Sequence, residues 1–132
     1  MCELLAADGG SLLLGTAPVQ SPEVLVPAYD DAGITAYFNR NEFRVLTTEL
    51  DADVDVPSFE HLAIWDEDQE RIKIQLRVTR PMQVRLPGAD LETSFTNGEE
   101  LCTEISAKFH PSGITAELEA TGLSVAGHWT GP

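Results

Sequence analysis

The stretch RIKIQLRVT, residues 71–79, narrows the possible folds more than any other, because Ile72, Ile74, Leu76 and Val78 alternate with Arg71, Lys73, Gln75 and Arg77. Residues two apart on a strand share a face, so this pattern makes one dry face and one wet one. FEHLAIW before it is read as a strand, and the alternation resumes through Met82, Val84 and Leu86. DEDQ, Pro87-Gly88 and Asn97-Gly98 supply turn chemistry between the runs, with LETSF as a further strand. The expectation is an antiparallel meander of three or four strands with one buried face.

The flanks read differently. Ser21 and Pro22 suit the start of a short helix running toward Tyr29. Residues 33–50 place Ile34, Tyr37, Phe38, Val45, Leu46 and Leu50 close to helical spacing, which predicts a longer helix. DADVDVPSF is a linker, since Pro57 interrupts any strand there. HPSGITAELEATG predicts a helix between Pro111 and Gly122, and LSVAGHWT a last strand. At the other end, MCELLAADGG reads as the last turns of a helix capped at Gly9. SLLLGT, an unbroken apolar run, has the pattern of a strand covered on both faces of a parallel sheet. Such a strand requires neighbours, and no repeated strand-helix units follow to provide them. The opening is therefore expected to be the tail of a larger α/β domain whose N-terminal part is missing.

A length of 132 residues with 42% hydrophobic residues suffices for a packed core. Eight basic against 22 acidic residues give a net charge of -14, which repels phosphate backbones and anionic headgroups, so neither nucleic acid nor a membrane surface is an expected partner. Arg71, Lys73, Arg77, Arg80 and Arg85 cluster in one strand region and are expected to pair with nearby acids on a solvated face. Cys2 and Cys102 form no CxxC, no apolar run is long enough to span a bilayer, and no basic flank marks a signal peptide; a cytoplasmic location fits best. Asp51, Asp53 and Asp55 have the spacing of a calcium loop, but Val56 stands where Gly is needed and Leu62 where the bidentate Glu belongs. His61, His110 and His128 lack ligand spacing, and GxSxG, GxxxxGK[ST] and GxGxxG are absent. No metal is implied.

Two features stand out against this background. In LCTEISAKF, Glu104 and Ser106 are two apart in a β-prone run, so a carboxylate and a hydroxyl project together near a core marked by Ile105 and Phe109. A carboxylate there needs a cation or donors, and Arg71 or Arg77 could serve as a structural ion-pair partner. Tyr29, in AYDD, carries a hydroxyl able to donate to a ligand carboxylate or simply to finish a core.

GGSLLLGT, AYDDAGITAYFNRN, FEHLAIWDEDQERIKI, GEELCTEISAKF, AELEATGL and HWT occur in an order and spacing that resemble the histidine-specific, S-adenosylmethionine-dependent methyltransferases, which make hercynine in ergothioneine biosynthesis. The resemblance runs from about Gly10 to Pro132 and implies an α/β fold: the C-terminal fragment of a Rossmann-like methyltransferase carrying an antiparallel α+β substrate-binding domain. On that reading residues 1–20 are a remnant of the Rossmann-like sheet, 21–106 the substrate-binding domain, and 107–132 the return to the sheet. The resemblance also implies L-histidine as substrate, with Tyr29 holding its amino-acid end, Glu104 and Ser106 the imidazole ring, and Ile105 and Ile74 in the substrate-binding set. A ring with two nitrogens suits a carboxylate beside a hydroxyl.

The S-adenosylmethionine site implied by the resemblance would lie N-terminal to this chain, and none of the singled-out residues is expected to be a chemical acid or base. Methyl transfer depends on holding the sulfonium carbon in line with the amine. The chain is therefore expected to be inactive alone, being a truncated gene product, one half of a split enzyme with a separate N-terminal methyltransferase half, or a decayed homologue. The alternative is a noncatalytic amino-acid-binding or regulatory module; a purely structural partner subunit is a third reading.

Overall fold

The computed structural model describes residues 9–30 and 33–130. They fall into two compact units, one of residues 20–107 and one joining 9–19 to 108–130. Among the described residues the protein is α/β, with three α-helices and antiparallel sheets.

In the larger unit, helices α1 (Pro22–Tyr29) and α2 (Ile34–Leu50) precede strands β1 (Phe59–Asp66), β2 (Arg71–Val78), β3 (Met82–Leu86), β4 (Leu91–Phe95) and β5 (Glu100–Ala107). The alternation in β2 is realised along its whole length: Ile72, Ile74, Leu76 and Val78 are buried. The connectivity is not a meander, however. β2 lies between β1 and β5 in a three-stranded antiparallel sheet, while β3 and β4 form a separate hairpin. Pro81, which has no backbone N–H to donate, stands between β2 and β3 and ends the ladder there. β5 fills the vacated edge of β2.

Helix α1 starts as its Ser-Pro signal predicts, with Ser21 at the N-cap and Pro22 in the first turn, and buries Leu25 against Ile72 and Ile74. Helix α2 starts after Gly33, whose φ of 86° lies in the left-handed region that a glycine adopts at little cost. Its buried face differs from the one its largest apolar residues suggest. Asn39 and Phe43 are buried, with Leu46 packed behind them, while Ile34, Tyr37, Phe38 and Val45 are exposed. Phe43 stacks on Phe59 at 4.3 Å between ring centroids, and Phe59 meets Phe95 edge-on at 5.7 Å. That aromatic cluster draws the Phe43 side of the helix inward.

The wet face of β2 is neutralised by partners. Arg71 and Lys73 both reach Asp66, at 3.3 and 2.8 Å, and Arg77 reaches Glu100 at 2.6 Å. Arg80 pairs with Asp55, and Arg85 with Asp53 at 2.9 Å. Two of the three carboxylates with calcium-loop spacing are thus engaged by guanidinium groups. The acidic linker is no mere spacer: Asp53 also accepts the backbone amide of Arg85 at 2.6 Å, and Ala52 is buried beside Val84 and Leu86.

In the smaller unit, helix α3 (Pro111–Ala120) follows His110, with Gly122 at φ 84° past its end. Pro18 and Phe109 form a parallel bridge, with Phe109 N donating to Ala17 O at 3.0 Å and Val19 N to Phe109 O at 3.2 Å. The strands expected over SLLLGT and LSVAGHWT do not form; both segments run without ladder partners, and Leu13 is 88% exposed. An extended apolar run becomes a strand only where neighbouring backbone answers its N–H and C=O groups. Among the described residues only the short bridge at Pro18 does so. The N-terminal helix reading falls on residues 1–8, outside the described residues.

Candidate functional site

The site is built on the face of the three-stranded sheet that carries Ile72 and Ile74. Strand register sets its geometry. Ile72 lies opposite Trp65 on β1 and Ser106 on β5, and Ile74 opposite Ala63 and Glu104. Directly opposed residues of antiparallel strands share a face, so Glu104 and Ser106 project beside the buried isoleucines. Ile74 is 2% exposed and forms the floor of this row.

An irregularity in β5 makes this possible. Between the pairs Ile74↔Glu104 and Gln75↔Cys102 the register shifts, leaving Thr103 as an extra residue. Leu101, opposite Leu76, packs on the aromatic cluster from this same face. In an unbroken strand Leu101 and Glu104, three apart, would point to opposite sides. The bulge lets both face inward. Thr103 Oγ1 donates to Ile74 O at 3.0 Å, attaching the extra residue to the central strand.

Tyr29 arrives from the end of α1. Its hydroxyl and that of Ser106 are 2.7 Å apart, a hydrogen bond between residues separated by 77 positions. Beneath them, His61 Nε2 donates to Tyr29 O at 2.9 Å, and Asn39 Nδ2 donates to His61 Nδ1 at 3.0 Å and to Gln75 O at 3.1 Å. This chain of bonds ties α1, α2, β1 and β2 together and requires the His61 tautomer with its proton on Nε2. It holds the Tyr29 backbone in place under the hydroxyl.

Of the residues read from sequence, the structure brings together Tyr29, Ile74, Glu104 and Ser106. Ile105 does not join them: it lies opposite Lys73, on the other face of the sheet, and is 52% exposed. Neither arginine considered for Glu104 reaches it, because Arg71 and Arg77 stand on that other face and bind Asp66 and Glu100. Asn39 and His61, which support the site, gave no motif signal. The position of Asn39 four and seven residues before Phe43 and Leu46, on one helical stripe with them, was the one available hint. On α2, burial lifts the Glu42 carboxyl above the ordinary carboxylate range, and the charge of Glu104 lifts it further.

The arrangement offers a carboxylate, two hydroxyls and an apolar floor on one open face. That set can hold a polar ring by its edges while packing its plane. No catalytic acid, base or nucleophile stands out among these groups. Among the described residues there is no cluster of potential metal ligands, and no helix is long and apolar enough to cross a membrane.

The chain is 50% identical over 125 residues to a histidine N-alpha-methyltransferase of Mycolicibacterium smegmatis, a match covering 94% of this chain and 39% of that protein. It is 48% identical over 123 residues to a histidine N-alpha-methyltransferase of Mycobacterium tuberculosis, covering 92% of this chain and 38% of that one. The chain thus spans about two-fifths of the length of these relatives. Residues 1–132 match the family described as histidine-specific, SAM-dependent methyltransferases, and the chain belongs to that family.

Proposed function

We propose that this chain is the substrate-binding part of a histidine N-alpha-methyltransferase, the enzyme that forms hercynine in ergothioneine biosynthesis. The observation that carries the reading is the convergence of Tyr29, Glu104 and Ser106 on one face, in a chain about half identical to histidine N-alpha-methyltransferases. Glu104 and Ser106 bind the edges of the imidazole ring, Ile74 packs against it, and Tyr29 reaches the amino-acid end. These residues position the substrate and do not carry its protons. Hydrogen bonds to a charged group contribute about 1.5 to 3 kcal/mol each, or roughly one to two decades of preference for histidine over an apolar amino acid.

On this reading S-adenosylmethionine, the methyl donor of the family, binds outside the match described here, in a Rossmann-like part to which the smaller unit belongs. The parallel bridge between Pro18 and Phe109 supports that affiliation. Methyl transfer then requires the remaining part of the relatives' length, whether in the same polypeptide or in a separate N-terminal half. The isolated chain binds histidine and does not methylate it.

Calorimetric titration with L-histidine, L-phenylalanine and L-alanine tests the reading. Histidine is expected to bind more tightly than either, and E104Q and S106A to remove most of that preference. Equal affinity for all three would overturn it. Turnover of histidine with S-adenosylmethionine by the isolated chain would overturn its dependence on a further part. Tight histidine binding with no gain in activity on adding the N-terminal part of a relative would favour a noncatalytic amino-acid-binding module.

A further inference from the structure

Helix α2 is apolar on two opposite sides. One side lies on the sheet: Asn39 Nδ2 donates to Gln75 O at 3.1 Å, and Phe43 and Leu46 pack in the core around Phe59. At about 100° per residue, Ile34 stands roughly 180° from Phe43 and Val45 roughly 160°, with Tyr37 and Phe38 on either flank of them. These four side chains, pointing away from the sheet, are between 50% and 71% exposed. Asn41 and Thr48 fall in the same stripe, and the Thr48 hydroxyl turns back to Arg44 O at 2.9 Å. A helix at the surface of a domain needs one apolar stripe, and one with two has the pattern of a helix covered from both sides. Large apolar side chains gathered on one exposed face mark an interaction surface.

A cation stands at the edge of this stripe. The Arg44 guanidinium lies over the Tyr37 ring, 4.3 Å from its centroid, and enters none of the ion pairs among the described residues. Aromatic residues and arginine are enriched at the centres of protein interfaces, and a cation held there is matched by an acid of the partner.

Charge and length single out the occupant. A net charge of -14 disfavours an anionic lipid surface, and a second copy brings the same charge with it. The matches cover 39% and 38% of the two relatives, so about three-fifths of each relative lies outside them, more than the matched part itself. In a family polypeptide that part is tethered to this one, and a tether raises its effective concentration at the stripe without any new contact. A second copy has no such advantage.

We infer that the stripe of Ile34, Tyr37, Phe38 and Val45 is the docking surface for the part of the family polypeptide that lies outside the match. Tyr37 and Phe38 are its aromatic anchors, and Arg44 meets a carboxylate of that part. The inference uses the family membership of the chain and does not depend on which residues hold histidine.

Thiol labelling, read by peptide mass spectrometry, tests it. Ile34→Cys and Phe38→Cys are introduced into this chain alone, and into the Mycolicibacterium smegmatis relative with its matched segment replaced by this chain. Alkylation is expected to be fast in the chain alone and at least about tenfold slower in the longer polypeptide, where reaction awaits local opening. Adding R44E to the longer polypeptide is expected to restore a several-fold faster rate. Equal rates in the two settings overturn the assignment. So does a dimer of the chain alone, seen by sedimentation, that I34S/F38S converts to monomer, since a second copy then occupies the stripe. Labelling at the aligned positions of the intact relative decides the matter where the hybrid does not fold. Titration of the chain with histidine separates this inference from the functional reading: a protected stripe in a protein that binds histidine no better than alanine leaves the docking surface standing and overturns the substrate.

Discussion

Thr103 Oγ1 donates to the backbone carbonyl of Ile74 at 3.0 Å, at the one place where β5 carries a residue more than its neighbour. Through that bond an ordinary strand presents Leu101 to the aromatic cluster and Glu104 to the site from the same face. Site geometry here depends on a bulge, and the Thr103 hydroxyl ties that bulge to the central strand.

Replacing Thr103 with Val keeps shape and β-propensity but removes this donor. A loss of about 1 kcal/mol is expected, in line with a single neutral hydrogen bond. Urea unfolding measures it, and histidine affinity should fall in the same variant because Glu104 is no longer held inward. Unchanged stability and unchanged affinity together would show the hydroxyl to be irrelevant to the bulge.

Tyr29→Phe deletes the 2.7 Å hydroxyl contact with Ser106 while leaving the ring on Ile72 and Ile74. Stability is expected to change little, because Tyr29 is half-buried and water can serve Ser106. Histidine affinity is expected to drop about tenfold, the worth of one good hydrogen bond. Titration calorimetry beside a thermal melt separates the two effects.

Asn39→Leu removes the group that joins His61 to Gln75 O beneath the site. Both partners are then left buried without a donor, so destabilisation of about 2 to 4 kcal/mol is expected. Asn39→Asp should be as harmful, since an ionised side chain cannot donate to either acceptor. Chemical denaturation monitored by circular dichroism reads both variants; a loss below about 0.5 kcal/mol in either would mean the network is not supporting the fold.

Asp53 links the linker to β3 and has its carboxyl held below the ordinary carboxylate range, first by the backbone amide of Arg85 and then by its guanidinium. A depressed folded-state value means that the stabilisation is present above the ordinary titration near about pH 3.9 and is lost as pH falls through the lower, folded-state value. Asp53→Asn should therefore reduce stability at pH 7 and flatten its decline below pH 4. Urea midpoints at pH 7 and pH 3 check this; parallel curves for both proteins would contradict it.

Much of the larger unit was legible because its signals are local. The alternation from Arg71 to Val78 specifies a strand whatever surrounds it, Ser21-Pro22 starts a helix, and Gly33 and Pro111 punctuate two more. Glu104 and Ser106 could be placed on one face because two-residue spacing is a property of any strand. What failed were inferences that needed a partner. The apolar runs at Leu12–Leu14 and after Leu123 have the composition of strands, but composition supplies no neighbouring backbone. Ile105 sits between two site residues in the chain and on the opposite side of the sheet in space, as the strand period demands.

The amino-acid sequence alone determined the elements of the larger unit, the dry face of β2, the acidic field and the family, since each depends on residue type and spacing along one segment. Only tertiary structure decided that β5, not β3, completes the sheet, that Thr103 bulges, and that Tyr29 meets Ser106 across 77 residues. The physical reason is that register and helix rotation are settled by which buried surfaces fit together over long sequence separations, and no local pattern encodes that choice.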